Sequence, residues 1–490
     1  MVCRCPAADL SSIQTILVST TAAFPGCERF EQRKENEKMG KELLFKALRH
    51  EPTERAPWVP FSGIHSGKLK GYTAEEILKD GQKLYESLME VARLYGPDGM
   101  PIMFDLQLEA EILGCELMWA KDNPPSVASH PLEGDENKSI PCRCRIPQKD
   151  SGRIPIMLEA MEKLKASVGD EIALYGLICG PFTLASHLRG SEIFLDMLMD
   201  EQYVRDLMSF CAEVSMRMVD YYVEAGMDVI AVVDPLVSQI APESFDDLLA
   251  ESFRAVFDYI RSKGVFSSFF VCGNATPQLE VMCKVNPDSI AVDENVDIVY
   301  GKSVTDKYNI TISGNIPLTT VMLLGTPKDN MKYVVDMLDK LGDHHNLIVS
   351  PGCDMPYDVP VENTVACSQG VKNTEQVREM VKDYTASDDD IQVELPDYEH
   401  LERPFIEVFT LDSVQCAACT YMMAAAKSAK EYFGDKIDII EYKYTVRENV
   451  ARCKKMGITN LPTMVINGQI KHVSMIPDQD VLRAEINELL

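Results

Sequence analysis

Two stretches end an apolar run on a cysteine with glycine beside it: "SSFFVCGNATPQ", which carries Cys272, and "LIVSPGCDMP", which carries Cys353. A third pattern, "CAAC", sets Cys416 and Cys419 three residues apart. Thiolates are nucleophiles and ligands for soft metals, so two thiols placed alike raise metal ligation as one explanation for both. Packing competes with it. A cysteine is commonly a small buried hydrophobe, and either thiol alone is accounted for that way.

The elements around these thiols bring them together. From about residue 57 short β-type runs alternate with long segments of helical periodicity, the pattern of a parallel sheet. The runs are "APWVPF", "MPIMFD", "IALYGLI", "DVIAVVD", "FSSFFV", "SIAVDE", "ITISGNI" and "NLIVS", eight in all. Eight strand–helix units predict an α/β fold, a closed (β/α)8 TIM barrel, whose chemistry sits on loops at the C-terminal strand ends. Cys272 follows the fifth run, Asp293 and Glu294 end the sixth, and Cys353 follows the eighth, so the topology alone aims all four at one mouth. An open doubly wound sheet is the alternative; no glycine-rich phosphate fingerprint follows the first strand to support it.

Composition narrows the class. The chain has 490 residues and a formal charge of −28, which opposes a phosphate-tracking surface and excludes nucleic acid as an expected partner. No apolar run is long enough to cross a bilayer, so no membrane partner is expected. Fifteen cysteines without the spacing of a small disulfide scaffold point to a reducing, cytoplasmic setting. Residues 1–38 read as a flexible N-terminal extension or as the product of an early start codon; their "IQTILVSTTAAF" is interrupted by polar residues and makes a poor signal core. Ser387 to Arg403 carries seven acidic residues and one basic, and 385–403 is read as an acidic linker.

Beyond the linker, residues 404–490 read as β-α-β-α-β-β-α, with "CAAC" opening the first helix and a hairpin at Asn467-Gly468. With "NLPT", whose Pro462 matches a cis-proline, this resembles a thioredoxin-like domain. The resemblance makes Cys416, at the positive end of a helix dipole, the attacking thiolate and Cys419 the resolving thiol. "CAAC" departs from the tryptophan-bearing thioredoxin motif, and a structural disulfide or a metal-binding pair stands as the other reading.

Residues 39–384 carry a second resemblance. "ALRHEPTERAPWVPF", "FDLQLEAEILGC", "GLICGPFTLASHLRG" and "NPDSIAVDENVDI" look like landmarks of the uroporphyrinogen decarboxylase superfamily. Its decarboxylases hold substrate carboxylates with an arginine-rich loop after the first strand. Here that loop reads "FSGIHSGK", with His65 and Lys68 and no arginine, and Cys353 stands where they carry a histidine. The chain is more similar to the methylcobalamin:coenzyme M methyltransferase branch. That likeness implies Zn2+ held by a His-x-Cys at the fifth strand and a cysteine at the eighth, which map onto Phe270, Cys272 and Cys353. Phenylalanine cannot bind metal; Glu294, at a place where this branch also has an acidic residue, is by that resemblance the third candidate ligand, with His65 the reserve.

Zinc lowers the pKa of a bound thiol from about 8.5 to below neutral, which is what a methyl acceptor needs. The expected function is therefore methyl transfer from a methylcorrinoid, carried by a partner corrinoid protein, to a small-molecule thiol; the chain has no "DxHxxG" motif of its own. Asp105 and His65 are candidate catalytic residues. Asn274, Asp234 and His187 are candidate contacts on the cofactor side, with packing the other reading for His187. Asp105, Glu109 and Glu111 read either as a solvated helix face or, for Asp105, as a group aimed into the mouth. Two alternatives stand beside methyl transfer: decarboxylation of a different substrate, and a non-catalytic redox protein that binds a corrinoid or tetrapyrrole.

Overall fold

The structure is a computed structural model that describes residues 40–385, 391–411, 417–474 and 476–490. Seven strands form one all-parallel sheet: β1 (Gly99–Pro101), β4 (Ala173–Cys179), β5 (Val229–Val233), β6 (Phe266–Val271), β7 (Ser289–Val292), β8 (Thr311–Ile316) and β9 (Leu347–Pro351), each paired with the next in the chain. Residues 57–59 close it. Trp58 bridges Val349 in parallel, Val59 N donates to Val349 O and Val349 N to Pro57 O, both at 2.9 Å, and on the other side Asp98 N donates to Trp58 O at 2.9 Å.

The parallel sheet is thus curled into a TIM-barrel-like closure, and the open-sheet alternative is excluded. β4 ("ALYGLIC") and β5 ("VIAVV") are buried at every position, as strands must be when helices cover one face and the barrel interior the other. The helices start and stop where their ends demand. A Thr73–Glu76 capping box opens Ala74–Lys79, and Gly96, at φ 51, closes Gly81–Tyr95 in the left-handed conformation that glycine adopts at low cost. One pair was not foreseen: β2 (Leu117–Met118) and β3 (Ser126–Val127) form a small antiparallel ladder in the insertion after the second barrel strand.

A second sheet follows the barrel. β10 (Phe405–Thr410), β11 (Asp438–Lys443), β12 (Thr463–Ile466) and β13 (Gln469–Val473) lie in the order β11-β10-β12-β13, with β10 parallel to β11 and the other pairs antiparallel. The helices Ala417–Phe433, Arg447–Met456 and Gln479–Asn487 alternate with them in the expected order. Asn467 and Gly468, at φ 47 and 77, make the turn between β12 and β13, and the Leu461–Pro462 peptide is cis. Ile406, Val408, Met422, Ala426, Leu482 and Ile486 form the core of this unit. It touches the barrel at several points. Tyr421 shares a 2.7 Å hydrogen bond with Ser186, its ring meets that of Phe194 edge-on, and Arg447 donates to Leu324 O.

Barrel closure depends on a buried carboxylate. Asp98, 2% exposed, accepts Trp58 N at 2.8 Å and both terminal nitrogens of Arg55 at 2.6 and 2.8 Å. Asp98→Ala is expected to lower unfolding free energy by about 3 kcal/mol, because it strands a guanidinium and a strand N–H together. A urea midpoint in Asp98→Ala equal to wild type would show that closure does not need this carboxylate.

Candidate functional site

Cys272 and Cys353 leave β6 and β9, strands with two others between them, and their sulfurs meet at 2.6 Å. Both residues are partly buried. The glycines beside them are tightly packed. Gly273 sits at φ +86, and a β-carbon there would lie 2.6 Å from Ser238 Oγ. A β-carbon on Gly352 would lie 2.4 Å from Glu294 Oε2 and 3.0 Å from Glu294 N. Only glycine fits at these two places, against the segment after β5 and the turn after β7.

A carboxyl from the end of β7 pins the Cys272 loop, and a backbone bond from Gly352 N to Ile316 O, 2.9 Å, holds the Cys353 loop. Asp293 Oδ2 accepts Gly273 N and, at 3.2 Å, Asn295 Nδ2; its Oδ1 accepts Asn295 N at 2.8 Å. Asn315 Nδ2 in turn donates to Asp293 O at 2.8 Å and Val296 O at 2.7 Å, fixing that turn from β8. Burial raises Asp293 to about 6. It raises Glu294 to about 8, with the Asp293 charge adding to the effect. The Cys353 thiol is pulled down by its contact with Cys272, but burial and the charges of Asp354 and Asp293 outweigh this and leave it above its ordinary value. Asp354 is raised well above the carboxylate range by burial, and its Oδ1 is buried without a hydrogen-bond partner. Sequence reasoning missed Asp293 as a clamp and Asp354 altogether, although Asp354 directly follows Cys353.

Glu294 also faces the second unit. It lines a cavity of about 230 Å³ together with Pro317 and Thr320 of the barrel and Leu411, Tyr444 and Leu461 of the C-terminal unit. Leu411 follows β10 and Leu461 precedes β12, so the C-terminal strand edge stands at the barrel mouth.

The other expected residues are used elsewhere. His65 is fully buried; its Nδ1 donates to Tyr357 O at 3.0 Å and its Nε2 accepts from Tyr95 OH at 2.6 Å. Burial drops it to about 4. With both nitrogens engaged it serves neither as reserve ligand nor as catalyst. Asp105 is no solvated face and no lone group in the mouth: it accepts Gln107 N and pairs with Arg153 at 2.5 Å, and Arg153 also pairs with Glu111. Glu109 is buried too and accepts Cys179 N at 3.1 Å. Asp234 accepts Phe182 N, Thr183 N and Thr183 Oγ1, which fastens the start of helix Pro181–Arg189 to β5. Asn274 closes a local turn on Thr276 N. His187 packs within that same helix, its Nε2 buried without a partner and its pKa brought by burial to about 3. Cys142 and Cys144 are exposed on a short 3-10 turn. Cys419 is fully buried, and Cys416 lies outside the described residues.

These positions do not fit the zinc centre that the resemblance implied. Phe270 fills the interior in a stack on Phe61, 4.9 Å between centroids, with Phe104 edge-on at 5.6 Å. Glu294 Oε1 accepts Leu318 N. Among the described residues no three His, Cys, Asp or Glu side chains are gathered as a metal site. Two thiolates on one tetrahedral zinc stand ~3.8 Å apart, given Zn–S bonds of about 2.3 Å. The observed approach is much shorter.

The family model described as uroporphyrinogen decarboxylase (URO-D) matches residues 39–374. The chain belongs to the uroporphyrinogen decarboxylase family. Among curated relatives it is 29% identical over 341 residues to the methylcobamide:CoM methyltransferase MtbA of Methanosarcina acetivorans, covering 68% of this chain and 97% of that one. It is 27% identical over 279 residues to MtaA of Methanosarcina barkeri, covering 56% and 79%, and 26% identical over 336 residues to a uroporphyrinogen decarboxylase of Carboxydothermus hydrogenoformans, covering 66% and 93%. A solved methyltransferase structure from Methanosarcina mazei superposes with a TM-score of 0.62 at 24% identity, covering 69% of this chain and 99% of that one, which shows the shared fold. The family match stops before the second sheet.

This uroporphyrinogen decarboxylase family barrel carries several buried acids whose ionisation folding opposes. Burial raises Glu109 to about 7 from 4.5 and Asp234 to about 7 from 3.8. Because the folded values lie above the unfolded ones, the stability these groups hold is complete below about pH 4 and is lost as pH rises through 7. The urea midpoint is therefore expected to fall from about pH 5 to about pH 8, and Glu109→Gln to remove a share on the order of 3 kcal/mol of that dependence. A variant as pH-dependent as wild type would mean that Glu109 ionises freely in the folded protein.

Proposed function

We propose that this chain transfers a methyl group from a methylcorrinoid, carried by a separate corrinoid protein, to a thiol. The observation that carries this reading is the convergence of Cys272, Cys353 and Glu294 at the loop end of a barrel whose relatives include methylcobamide:CoM methyltransferases. A methylcorrinoid supplies an electrophilic methyl group and departs with the bonding electron pair. The chain must supply a deprotonated thiol in line with it.

Glu294, held at about 8 by burial and the neighbouring Asp293 charge, is matched to a thiol's ordinary value of about 8.5. In this reading it is the general base that takes the acceptor's proton in the cavity it lines. No step runs through zinc, because the donor set described above does not suit it. Residues 404–490 act as a thioredoxin-like unit beyond an acidic linker at 385–403, with Cys416 as attacking thiolate and Cys419 as resolving thiol, and keep the barrel thiols reduced. What supports this is the cavity shared by Glu294, Leu411 and Leu461. Decarboxylation loses ground: in the loop where decarboxylases use arginines, His65 is buried and Lys68 is paired with Asp358.

The test is the visible spectrum of the purified chain with methylcobalamin and an alkyl thiol. Formation of cob(I)alamin is expected, with a rate lower on the order of a hundredfold at neutral pH in Glu294→Gln. A spectral shift without turnover would reduce the function to binding, and unchanged turnover in Glu294→Gln would remove it as base.

A further inference from the structure

We propose that Cys272 and Cys353 form a reversible dithiol–disulfide couple at the barrel mouth, which exchanges with low-molecular-weight disulfides. This activity stands on the site's geometry and does not rest on methyl transfer.

The two sulfurs are in contact at 2.6 Å, and the loops bearing them are not free to part. Gly273 N is held by Asp293, and Gly352 is packed on the Glu294 backbone and carboxyl. Among the described residues, the side chains expected to complete a metal centre have other partners: Phe270 an aromatic stack, His65 Tyr357 and Tyr95, Asp293 Gly273 and Asn295, and Glu294, through one oxygen, Leu318. The two sulfurs in contact are as close as a vicinal redox pair requires and closer than a shared zinc permits. Both residues are partly exposed.

The step balances. One cysteine thiolate attacks a sulfur of the incoming disulfide, a bond forms between them, and one thiolate leaves with the electron pair of the broken S–S bond. The second cysteine, deprotonated, then displaces the remaining half, closing the Cys272–Cys353 bond. The protein gives up two electrons and two protons, and two molecules of small thiol carry them away. A dithiol runs the sequence in reverse.

The experiment incubates the full-length chain in mixtures of reduced and oxidised glutathione, quenches with acid, alkylates and identifies the linked peptides by mass spectrometry. A Cys272–Cys353 linked peptide is expected to rise from near absence in reduced glutathione to near completion in oxidised glutathione, and to disappear again with dithiothreitol. It should persist in Cys416→Ser, Cys419→Ser, since the equilibrium belongs to the barrel pair. Two results would overturn the proposal: both thiols staying alkylatable in oxidised glutathione, or the reduced chain binding one zinc that protects both from alkylation. The methylcobalamin assay on the same reduced samples separates the two readings. Linkage without methyl transfer would sink only the transferase, and methyl transfer without linkage would sink only the couple.

Discussion

The closure of the barrel by residues 57–59 is the constraint on which everything else rests. These residues sit between β9 and β1, trading hydrogen bonds with Val349 on one side and with Asp98 on the other. In an open sheet, β6 and β9 would be separated by the width of the two strands between them. Closing the cylinder turns that separation into a chord across one mouth, and the loops after β6, β7 and β9 then face each other. The contact of Cys272 with Cys353 is thus a consequence of topology first and of local chemistry second. Glycines 273 and 352 supply the second part by letting their loops lie against Ser238 and Glu294, where a side chain would not fit.

That division explains what the sequence made legible. Each barrel strand is announced by its own composition, because a strand buried on both faces has to be continuously apolar, and β4 and β5 are. The convergence of the thiols could be read from strand order alone. The fate of polar residues could not. Asp105 looked like part of a solvated face until Arg153, from a loop with no marked pattern, was seen to bind it. His65 looked available until Tyr95 and Tyr357 took both its nitrogens. Asp234 ended a strand as a site residue would, yet its hydrogen bonds tie down a helix. In each case the deciding partner is remote in sequence, and no local spacing encodes it.

The electrostatics of the mouth follow from the same crowding. A chain with net charge −28 keeps most of its carboxylates in water, but Asp293, Glu294 and Asp354 are drawn into a region where burial favours their neutral forms. Among the described residues no basic side chain hydrogen-bonds to them; backbone N–H groups and Asn295 serve instead. A mouth of this kind repels anionic thiolates less than its composition suggests, since part of its acid is protonated near neutrality. Under the proposed function it also lets Glu294 trade a proton with a thiol at little cost.

The position of the C-terminal unit ties these threads together. Tyr421 rests on Ser186 and Phe194, Arg447 reaches Leu324, and Leu411, Tyr444 and Leu461 wall the cavity at Glu294. Those contacts lie on the loop side of the barrel, the side from which a corrinoid protein would have to present its methyl group. Under the proposed function the two partners compete for that face. Under the proposed function, exchange of electrons with the C-terminal unit and receipt of a methyl group become alternating states of the same mouth. A dithiol couple suits that alternation, because thiols closed as a disulfide are no longer nucleophiles and the mouth is then open to reduction alone.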